Sequence, residues 1–523
     1  MTMPDLDALA DEIAARGIIH LFGIPGSGPS LTLIDALEKR GVSFHLNHFE
    51  GSAVLMAGAM GRLSGRSGVA VGIKGPGLAN MLPGMAACRL EAFPVVSITE
   101  SYPPGTPLFS AHKRLDHQAL VSGCAKGRRF FSVNGPGFSD LAEWAEREVP
   151  GPVHMDISGS PIPSDRPVPE NIPPGPPPDS DVGKISGMVS KSSRPLLIAG
   201  TYAIRKGMSA ELNGLSIPSF SVSAAKGVID ETLPHAAGVY TGVGLARTPE
   251  SSIIPKADLV IGIGLRHNEV LNVKPFGCKS INFDPLGDTF CHGFEFDHLF
   301  AADDKNMERL FSELGPKSWG LDELSDKIHA MMEHMLRPSF LPANVFFKIE
   351  RHFDHHVRMV LDTGYFCTIG EHVLRIRRPE HYLSSGQGRY MGIGLPLSIG
   401  ASLYDREVPT IVFSGDGGIG MFLPEAKLAV RHQLPLIIVL MSDGYLGSIR
   451  VRSISEGITE KAVTIHQPSW TRVFRALGLH SAVAQSGSDM EEILKSWEKE
   501  KGPLFIETRF DPEEYQYMVN GIR

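Results

Sequence analysis

The sequence is poor in cysteine and has no apolar run long enough to cross a membrane as a helix. Its 523 residues include 5 cysteines, which are scattered and form no CxxC pair. This argues against a disulfide framework and a cysteine-ligated metal. The N-terminal stretch is acidic, without the basic start and apolar centre of a signal peptide. We therefore expect reduced cysteines and a cytoplasmic location.

The sequence also lacks an excess of positive charge. Lysine and arginine number 50 against 58 acidic residues, which gives a net charge of −8. Neither nucleic acid nor a membrane is therefore an expected partner. Hydrophobic residues make up 42 %, an ordinary share for a globular protein, and the chain is too long for one hydrophobic core. We expect two to four domains.

Helical and strand patterns alternate along most of the chain, which predicts an α/β fold of doubly wound parallel sheets. A proline-rich segment at 158–181 predicts an extended linker, because proline excludes a buried helix or sheet. A polar, helical segment at 316–342 predicts a second connector. These breaks place three domains at 1–160, 182–315 and 343–523.

Two acidic glycine turns follow neighbouring predicted strands in the last domain. Gly415-Asp416-Gly417 ends an apolar strand at Ile411–Phe413, and Ser442-Asp443-Gly444 ends a second one at Leu436–Met441. Parallel strands present their carboxyl ends at one edge of the sheet, so Asp416 and Asp443 should meet. Two carboxylates beside glycine N–H groups suit Mg²⁺ holding a diphosphate.

A second group of motifs lies in the first predicted domain. Glu50 is expected at the end of a strand, and it is followed by small residues through Gly61 that predict a closely packed helix. Further on, Gly75-Pro76-Gly77 forms a glycine loop that opens another helix, with Asn80 in its first turn.

Together these motifs resemble the thiamine-diphosphate (ThDP) enzymes of the acetolactate synthase and benzoylformate decarboxylase superfamily. The unit that begins with Gly415-Asp416-Gly417 is similar to their cofactor motif, and the region around Glu50 is similar to their pyrimidine-binding domain. The sequence departs from that family at Ser442-Asp443, where two asparagines are common, at Phe49 and at Lys74.

The resemblance implies three α/β domains (pyrimidine-binding, Rossmann-like middle, diphosphate-binding), with ThDP and Mg²⁺ as cofactors. It implies that Glu50 hydrogen-bonds N1′ of the aminopyrimidine and that Met391 wedges between the cofactor's two rings. Implied metal ligands are Asp416, Asp443 and the Tyr445 carbonyl. Implied cofactor-binding residues are Gly364, Tyr365, Arg389, Met391, Gly417, Gly418, Tyr445 and Leu446. It also implies a homodimer or homotetramer with active sites at the subunit interface.

Three residues are candidates for substrate contact. Ser27 lies in a loop that resembles a substrate-facing loop of benzoylformate decarboxylase, and His112 is a candidate substrate ligand and acid/base catalyst. Lys74 has two interpretations. It is a solvated surface charge, or it pairs with an anionic group of the substrate.

The expected reaction is non-oxidative decarboxylation of a small 2-oxo acid through a thiazolium carbanion and an enamine. Carboligation of the acetolactate synthase type is an alternative, as is a 2-hydroxyacyl-CoA lyase or oxalyl-CoA decarboxylase-like activity. A nucleotide-dependent dehydrogenase is disfavoured, because the loop Gly262–Arg266 is only half of a dinucleotide fingerprint. The sequence leaves open whether the middle domain binds a flavin or an adenine nucleotide. It also leaves open that the protein has a ThDP-enzyme fold without activity.

Overall fold

A computed structural model describes residues 6–103, 105–131, 137–158, 179, 181–287, 293–337 and 339–522. The predicted linker at 158–181 lies almost entirely outside these residues, and so does Cys291. Across the described ranges, no helix is both long enough and apolar enough to cross a membrane.

Three six-stranded sheets organise the described residues. The first has the order β2-β1-β3-β4-β6-β5, from His20–Gly23 (β1), Ser43–Leu46 (β2), Gly68–Gly72 (β3), Val95–Glu100 (β4), Arg128–Phe130 (β5) and Pro152–Ile157 (β6). The second has the order β12-β11-β10-β7-β8-β9, from Pro195–Ala199 (β7), Ser219–Val222 (β8), Ala236–Tyr240 (β9), Leu259–Ile263 (β10), Lys279–Phe283 (β11) and His298–Phe300 (β12). The third has the order β14-β13-β15-β16-β18-β17, from Arg358–Leu361 (β13), Tyr382–Ser384 (β14), Thr410–Gly415 (β15), Leu436–Ser442 (β16), His480–Ala484 (β17) and Leu504–Arg509 (β18).

Helices connect the strands, as parallel neighbours require. In the described ranges they are Leu6–Ala15 (α1), Pro29–Glu38 (α2), Glu50–Ser64 (α3), Pro76–Leu90 (α4), His117–Val121 (α5), Phe138–Glu146 (α6), Val182–Val189 (α7), Thr201–Arg205 (α8), Ser209–Asn213 (α9), Glu250–Ile253 (α10), Asp304–Leu314 (α11), Leu321–Met335 (α12), Pro342–Phe353 (α13), Tyr365–Val373 (α14), Gly394–Tyr404 (α15), Ala426–Arg431 (α16), Gly447–Ser455 (α17), Trp470–Ala476 (α18), Gly487–Ser496 (α19) and Pro512–Met518 (α20). The three sheets confirm the α/β class predicted from the alternation of patterns.

The chain divides into two compact units. The first comprises Met1–Asn171, Gly392–Glu407 and Gly420–Leu436, and the second comprises the rest of the chain. Within the first unit, α3 packs closely on its neighbours because its small residues leave little space between backbones. A Cβ on Gly61 would lie 2.2 Å from the Pro94 carbonyl oxygen, and one on Gly400 of α15 would lie 2.4 Å from the Met56 carbonyl oxygen.

The second unit contains the middle and last sheets, each with its own buried apolar core. Strands β10, β15 and β16 are almost continuous apolar runs, as expected of strands covered on both faces. In the last sheet β15 and β16 are neighbours, so the turns that follow them lie side by side.

Two local expectations were wrong. Glu50 does not end a strand, because β2 stops at Leu46 and Glu50 is the first residue of α3. The helical spacing of apolar residues at 422–432 predicts one continuous helix, but the structure has a 3-10 turn, Leu423–Glu425, followed by the short helix α16. Pro424 lies in that first turn, where its missing N–H is tolerated.

Candidate active site

The Glu50 carboxylate is buried at the start of α3, with 5 % of the residue exposed. The Asn80 side-chain amide donates a hydrogen bond to Glu50 Oε2 at 3.0 Å. A Cβ on Gly77 would lie 3.5 Å from Glu50 Oε1, so the glycine loop closely approaches the carboxylate. The structure thus brings together the three elements that the sequence singled out in the first domain.

The buried Glu425 is a residue that sequence reasoning missed. Its Oε1 accepts hydrogen bonds from the backbone N–H groups of His48 (2.9 Å) and Phe49 (3.1 Å), and from Ser52 Oγ (2.5 Å). Its Oε2 accepts one from Asn47 at 3.3 Å. These groups surround the first turn of α3, so Glu425 fixes the backbone that carries Glu50. The only sequence signal is an acid in an otherwise apolar stretch, and its partners are more than 370 positions away.

The glycine loop before α4 needs glycine for two reasons at Gly75. Its φ is +63°, and a Cβ there would lie 1.9 Å from the Lys113 carbonyl oxygen. The Gly75 N–H donates to His117 Nε2 at 3.1 Å. The other ring nitrogen of His117 lies 2.5 Å from Asp156 Oδ1, so it carries the proton and donates. The loop that reaches Glu50 is therefore held by a buried His–Asp pair.

His117, His154 and Asp156 lie close enough to suggest a metal site. Their ligand atoms are already engaged, since hydrogen bonds occupy the ring nitrogens and Asp156 Oδ1, and Asp156 Oδ2 lies in an ion pair with Arg128. The two ring nitrogens of His154 lie 2.9 Å from Ser97 Oγ and 3.2 Å from Thr99 Oγ1. Burial alone would raise the pKa of Asp156, but His154, His117 and the adjacent Arg128 guanidinium lower it below its usual value. We interpret the cluster as a hydrogen-bond network that supports the glycine loop.

A third buried glutamate, Glu100, joins the loop that carries Ser27 to Lys74. Ser30 Oγ donates to Glu100 Oε1 at 2.6 Å, and Lys74 Nζ donates to Glu100 Oε2 at 2.7 Å. Burial would raise the pKa of Glu100, but the bonds from Lys74 and Ser30 outweigh it and lower that pKa. Lys74 therefore already has an anionic partner within the protein. Ser27 is exposed on the loop before Ser30.

His112 is exposed on the loop between β4 and α5. Its carbonyl oxygen accepts a hydrogen bond from the Tyr102 hydroxyl at 3.0 Å. Across the described residues, no hydrogen bond or ion pair joins the His112 ring to Glu50 or Lys74. Its role as an acid/base catalyst remains a prediction.

The second unit carries the acidic turns, and they meet as predicted. Asp416 Oδ2 accepts hydrogen bonds from the backbone N–H groups of Asp443 (2.9 Å) and Gly444 (2.7 Å). Burial raises the pKa of Asp416. Burial, with the neighbouring Asp416 carboxylate as a further cause, raises the pKa of Asp443 to about 7. Two carboxylates with raised pKa values are a pair that a divalent cation would stabilise in the charged form.

The donor set around these turns fits a hard cation beside an anion. Asp416 Oδ1 is buried and accepts no hydrogen bond from the residues that the structure describes, so one carboxylate oxygen is left for a ligand. A Cβ on Gly447 would lie 2.7 Å from Asp443 Oδ2 and 3.4 Å from the Tyr365 ring. Asp443, Tyr365 and the start of α17 thus converge. The Gly418 N–H donates to the Gly415 carbonyl at 3.1 Å, so the turn already uses the amide expected to bind diphosphate.

Met391 and Leu446 both contact the turn at Gly417. A Cβ on Gly417 would lie 2.7 Å from Met391 Sδ and 2.7 Å from Leu446 Cδ2, so a larger residue there would have to displace these two side chains. The Thr363 hydroxyl donates to the carbonyl of Tyr390 at 3.0 Å and thereby ties the loop of Met391 to the loop before α14.

The side chain of Arg389 is held inside the same unit. Its guanidinium lies 3.0 Å from Glu371 Oε1, which is fully buried, and it donates to Cys367 Sγ at 3.5 Å. Both partners belong to α14, whose first residues are Tyr365 and, at its N-cap, Gly364. Arg389 therefore holds its loop in place with its side chain.

Comparison with known proteins identifies the family. Three family models match in order: the N-terminal thiamine pyrophosphate (TPP) binding domain over residues 6–119, the central domain over 182–292 and the C-terminal TPP binding domain over 362–508. Together they match well over half of the chain. The protein belongs to the thiamine pyrophosphate enzymes, that is, the ThDP-dependent enzymes of the acetolactate synthase superfamily.

Similar proteins span nearly the whole chain. A "Probable acetolactate synthase large subunit" of Methanocaldococcus jannaschii is 25 % identical, covering 99 % of this chain and 93 % of its own. The acetolactate synthase of Bacillus subtilis is 22 % identical, covering 98 % and 94 %. A "Probable 2-ketoarginine decarboxylase" of Pseudomonas aeruginosa is 24 % identical, covering 96 % and 93 %.

Proposed function

We propose that the protein catalyses the ThDP- and Mg²⁺-dependent, non-oxidative decarboxylation of a small 2-oxo acid. The observation that carries this proposal is the Glu50 carboxylate, which is buried and hydrogen-bonded by Asn80 beside a glycine loop. When bound, ThDP supplies the electron sink for loss of CO₂. Glu50 would hold and return a proton at N1′ of the aminopyrimidine.

The second unit supplies the metal ligands in this proposal. Asp416 and Asp443 would hold Mg²⁺ together with the Tyr445 carbonyl, and the glycine turn at Gly417 would receive the diphosphate. We further propose a homodimer or homotetramer, in which active sites combine parts of two subunits.

Carboligation is the second candidate function, favoured by the similarity to acetolactate synthases over 98–99 % of the chain. The two functions share the loss of CO₂ and differ in what accepts the remaining carbon fragment. A product screen over 2-oxo acids, with and without an acceptor aldehyde or a second 2-oxo acid, separates them. An aldehyde as the main product in both arms supports decarboxylation, and a 2-hydroxy ketone or 2-hydroxy-2-alkyl acid supports carboligation.

The Glu50→Gln variant tests the proton role independently of substrate identity. It keeps the shape of the side chain and removes its ability to exchange a proton. We expect thermal stabilisation by ThDP and Mg²⁺ to persist and turnover to fall by about 100-fold or more. Full turnover of the variant would show that Glu50 has no proton role. Absence of ThDP- and Mg²⁺-dependent stabilisation of the wild type would contradict the cofactor assignment.

A further inference from the structure

The first unit contains a half-open cavity of about 500 Å³ beside the glycine loop. Four cations line it, namely Lys74, Lys113, Arg114 and Arg128, against one carboxylate, Asp116. Its size suits a small molecule, and a cleft lined by one sign of charge concentrates ligands of the other sign.

Two of the four cations are neutralised by the protein. Lys74 is paired with Glu100 at 2.7 Å, and Arg128 lies against Asp156. Their positive charges therefore do not by themselves require a ligand.

Lys113 and Arg114 differ from Lys74 and Arg128 in their charge partners. In the parts of the chain that the structure describes, neither forms an ion pair, and both are exposed. One guanidinium nitrogen of Arg114 donates to the Thr106 carbonyl at 2.6 Å, which orients the group without cancelling its charge. The carboxylate of Asp116 caps α5 by accepting from the Ala119 N–H at 3.0 Å. The wall of the cavity at 113–114 thus carries net positive charge.

The backbone fastens this wall to the glycine loop. Lys113 has a φ of +64°, an uncommon conformation for a residue with a side chain, and its carbonyl oxygen fills the space where Gly75 lacks a Cβ. Two residues further on, Gly77 approaches the Glu50 carboxylate. A single short loop therefore lies between the cationic wall and the acid assigned to proton transfer.

We propose that this cavity binds a second anionic group of the substrate, with Lys113 and Arg114 as its ligands. The substrate class is then a 2-oxo acid whose far end carries a carboxylate, sulfonate or phosphonate. Arginine and lysine side by side suit such a group, because a guanidinium can donate two parallel hydrogen bonds and an ammonium adds a point charge. The inference rests on the proposed function, since it names the substrate of that site.

The test compares acids of matched length on the ThDP- and Mg²⁺-loaded enzyme. The pairs are 3-sulfopyruvate with 2-oxopentanoate, and 2-oxoglutarate with 2-oxohexanoate. We expect the wild type to prefer the dianionic member of at least one pair by tenfold or more in kcat/KM, with the preference falling as salt rises. In the double variant Lys113→Gln/Arg114→Gln this preference should fall at least tenfold. The control Lys39→Gln changes an exposed lysine that directly follows α2, outside the cavity, and should keep this preference.

Binding gives a second readout that needs no turnover. 3-Sulfopropionate carries both anions but no 2-oxo group. Its dissociation constant from the ThDP- and Mg²⁺-loaded protein, measured by titration calorimetry, should rise at least tenfold in the double variant and stay constant in Lys39→Gln. Two results would overturn the anion site while leaving the proposed decarboxylation intact. One is an equal loss of kcat/KM on both members of a pair in the double variant, and the other is a wild type that shows no preference for a dianion. No turnover of any 2-oxo acid, with cofactor-dependent stabilisation retained, would overturn the proposed function and this inference with it.

Discussion

The position of Glu50 depends on Glu425, an acid that has no role in the chemistry itself. Four donors around the first turn of α3 converge on this one buried carboxylate. Removing it would leave buried N–H groups without an acceptor. A buried donor left unpaired costs about 1–3 kcal/mol, more than a typical hydrogen bond contributes.

We therefore expect Glu425→Ala to lower the free energy of unfolding by about 2–4 kcal/mol. Glu425→Gln should cost less, about 1 kcal/mol, because its oxygen can still accept from the two backbone amides. Urea unfolding of the apoprotein measures both. Equal losses in the two variants would contradict the hydrogen-bond explanation and indicate a loss of packing instead.

At the scale of an element, the backbone of the glycine loop before α4 places Gly77 against the Glu50 carboxylate. Gly75 and Gly65 both have a positive φ, +63° and +69°, but they differ in ψ, which is −99° at Gly75 and 6° at Gly65. A Cβ at Gly65 would meet nothing within 4 Å, whereas one at Gly75 would collide with the Lys113 carbonyl. Compared with Gly65, Gly75 therefore combines a backbone conformation outside the left-handed helical region with a close approach to another backbone.

Gly65→Ala should therefore destabilise the protein by about 1 kcal/mol, the cost of a left-handed alanine. Gly75→Ala should cost at least about 2 kcal/mol more, because the loop has to move. It should also weaken turnover, since the same loop holds Gly77 against Glu50. Thermal unfolding and kcat, measured on the same preparations, check both expectations. Equal changes of stability and of kcat in Gly65→Ala and Gly75→Ala would refute them.

A row of three histidines joins β1, β2 and the end of α16 within the first unit. His45 Nε2 lies 2.9 Å from His20 Nδ1, and His45 Nδ1 lies 3.1 Å from His432 Nε2. Burial, together with the two neighbouring histidines and Arg431, lowers the pKa of His45 from 6.5 to about 3. His45 therefore stays neutral in the folded protein while the unfolded chain takes up a proton below pH 6.5.

The stability that His45 contributes is consequently present above pH 6.5 and is lost as the pH falls towards 3. The loss can reach about 1.4 kcal/mol per pH unit for one group. His45→Gln should make the decline of unfolding free energy between pH 7.5 and 4.5 shallower, as measured in urea. The exposed His329→Gln is the control, and an unchanged slope in His45→Gln would argue against this assignment.

At the scale of the whole molecule, the two halves of the candidate site belong to different compact units. Glu50 lies in one and Asp416 in the other. Membership of the ThDP enzymes leads us to propose that a working site takes them from two subunits of a homo-oligomer. A mixture of two inactive variants can test this, because a hybrid dimer would place both lesions in one site and leave the other site intact.

We expect Glu50→Gln and Asp416→Ala each to be inactive alone, and their co-expressed hybrid to recover between a quarter and a half of wild-type activity. Separately tagged chains and tandem purification isolate the hybrid, and light scattering gives its oligomeric state. Inactive hybrids would indicate that each site is built within a single chain. The doubly substituted chain, mixed with wild type, is the control for subunit exchange.

The motifs expected to bind and activate the cofactor could be found in the sequence because they are local. A strand, an acidic glycine turn and the next strand are consecutive in the chain, so the order of the residues alone implies that Asp416 and Asp443 meet. The same holds for the alternation that predicts three parallel sheets, which the structure and the family models confirm.

The supporting contacts could not be predicted, because their partners are distant in sequence. Glu425 reaches Ser52, and Glu100 joins Lys74 to Ser30, across separations from 26 to 373 positions. The sequence left Lys74 as either a surface charge or an anion ligand. The fold pairs it with Glu100 and presents Lys113 and Arg114 to the cavity instead. Residue types and short spacings therefore determined the family and its thiamine-diphosphate cofactor by themselves. Only the tertiary structure decided which charges are neutralised, because neutralisation depends on distances between groups far apart along the chain.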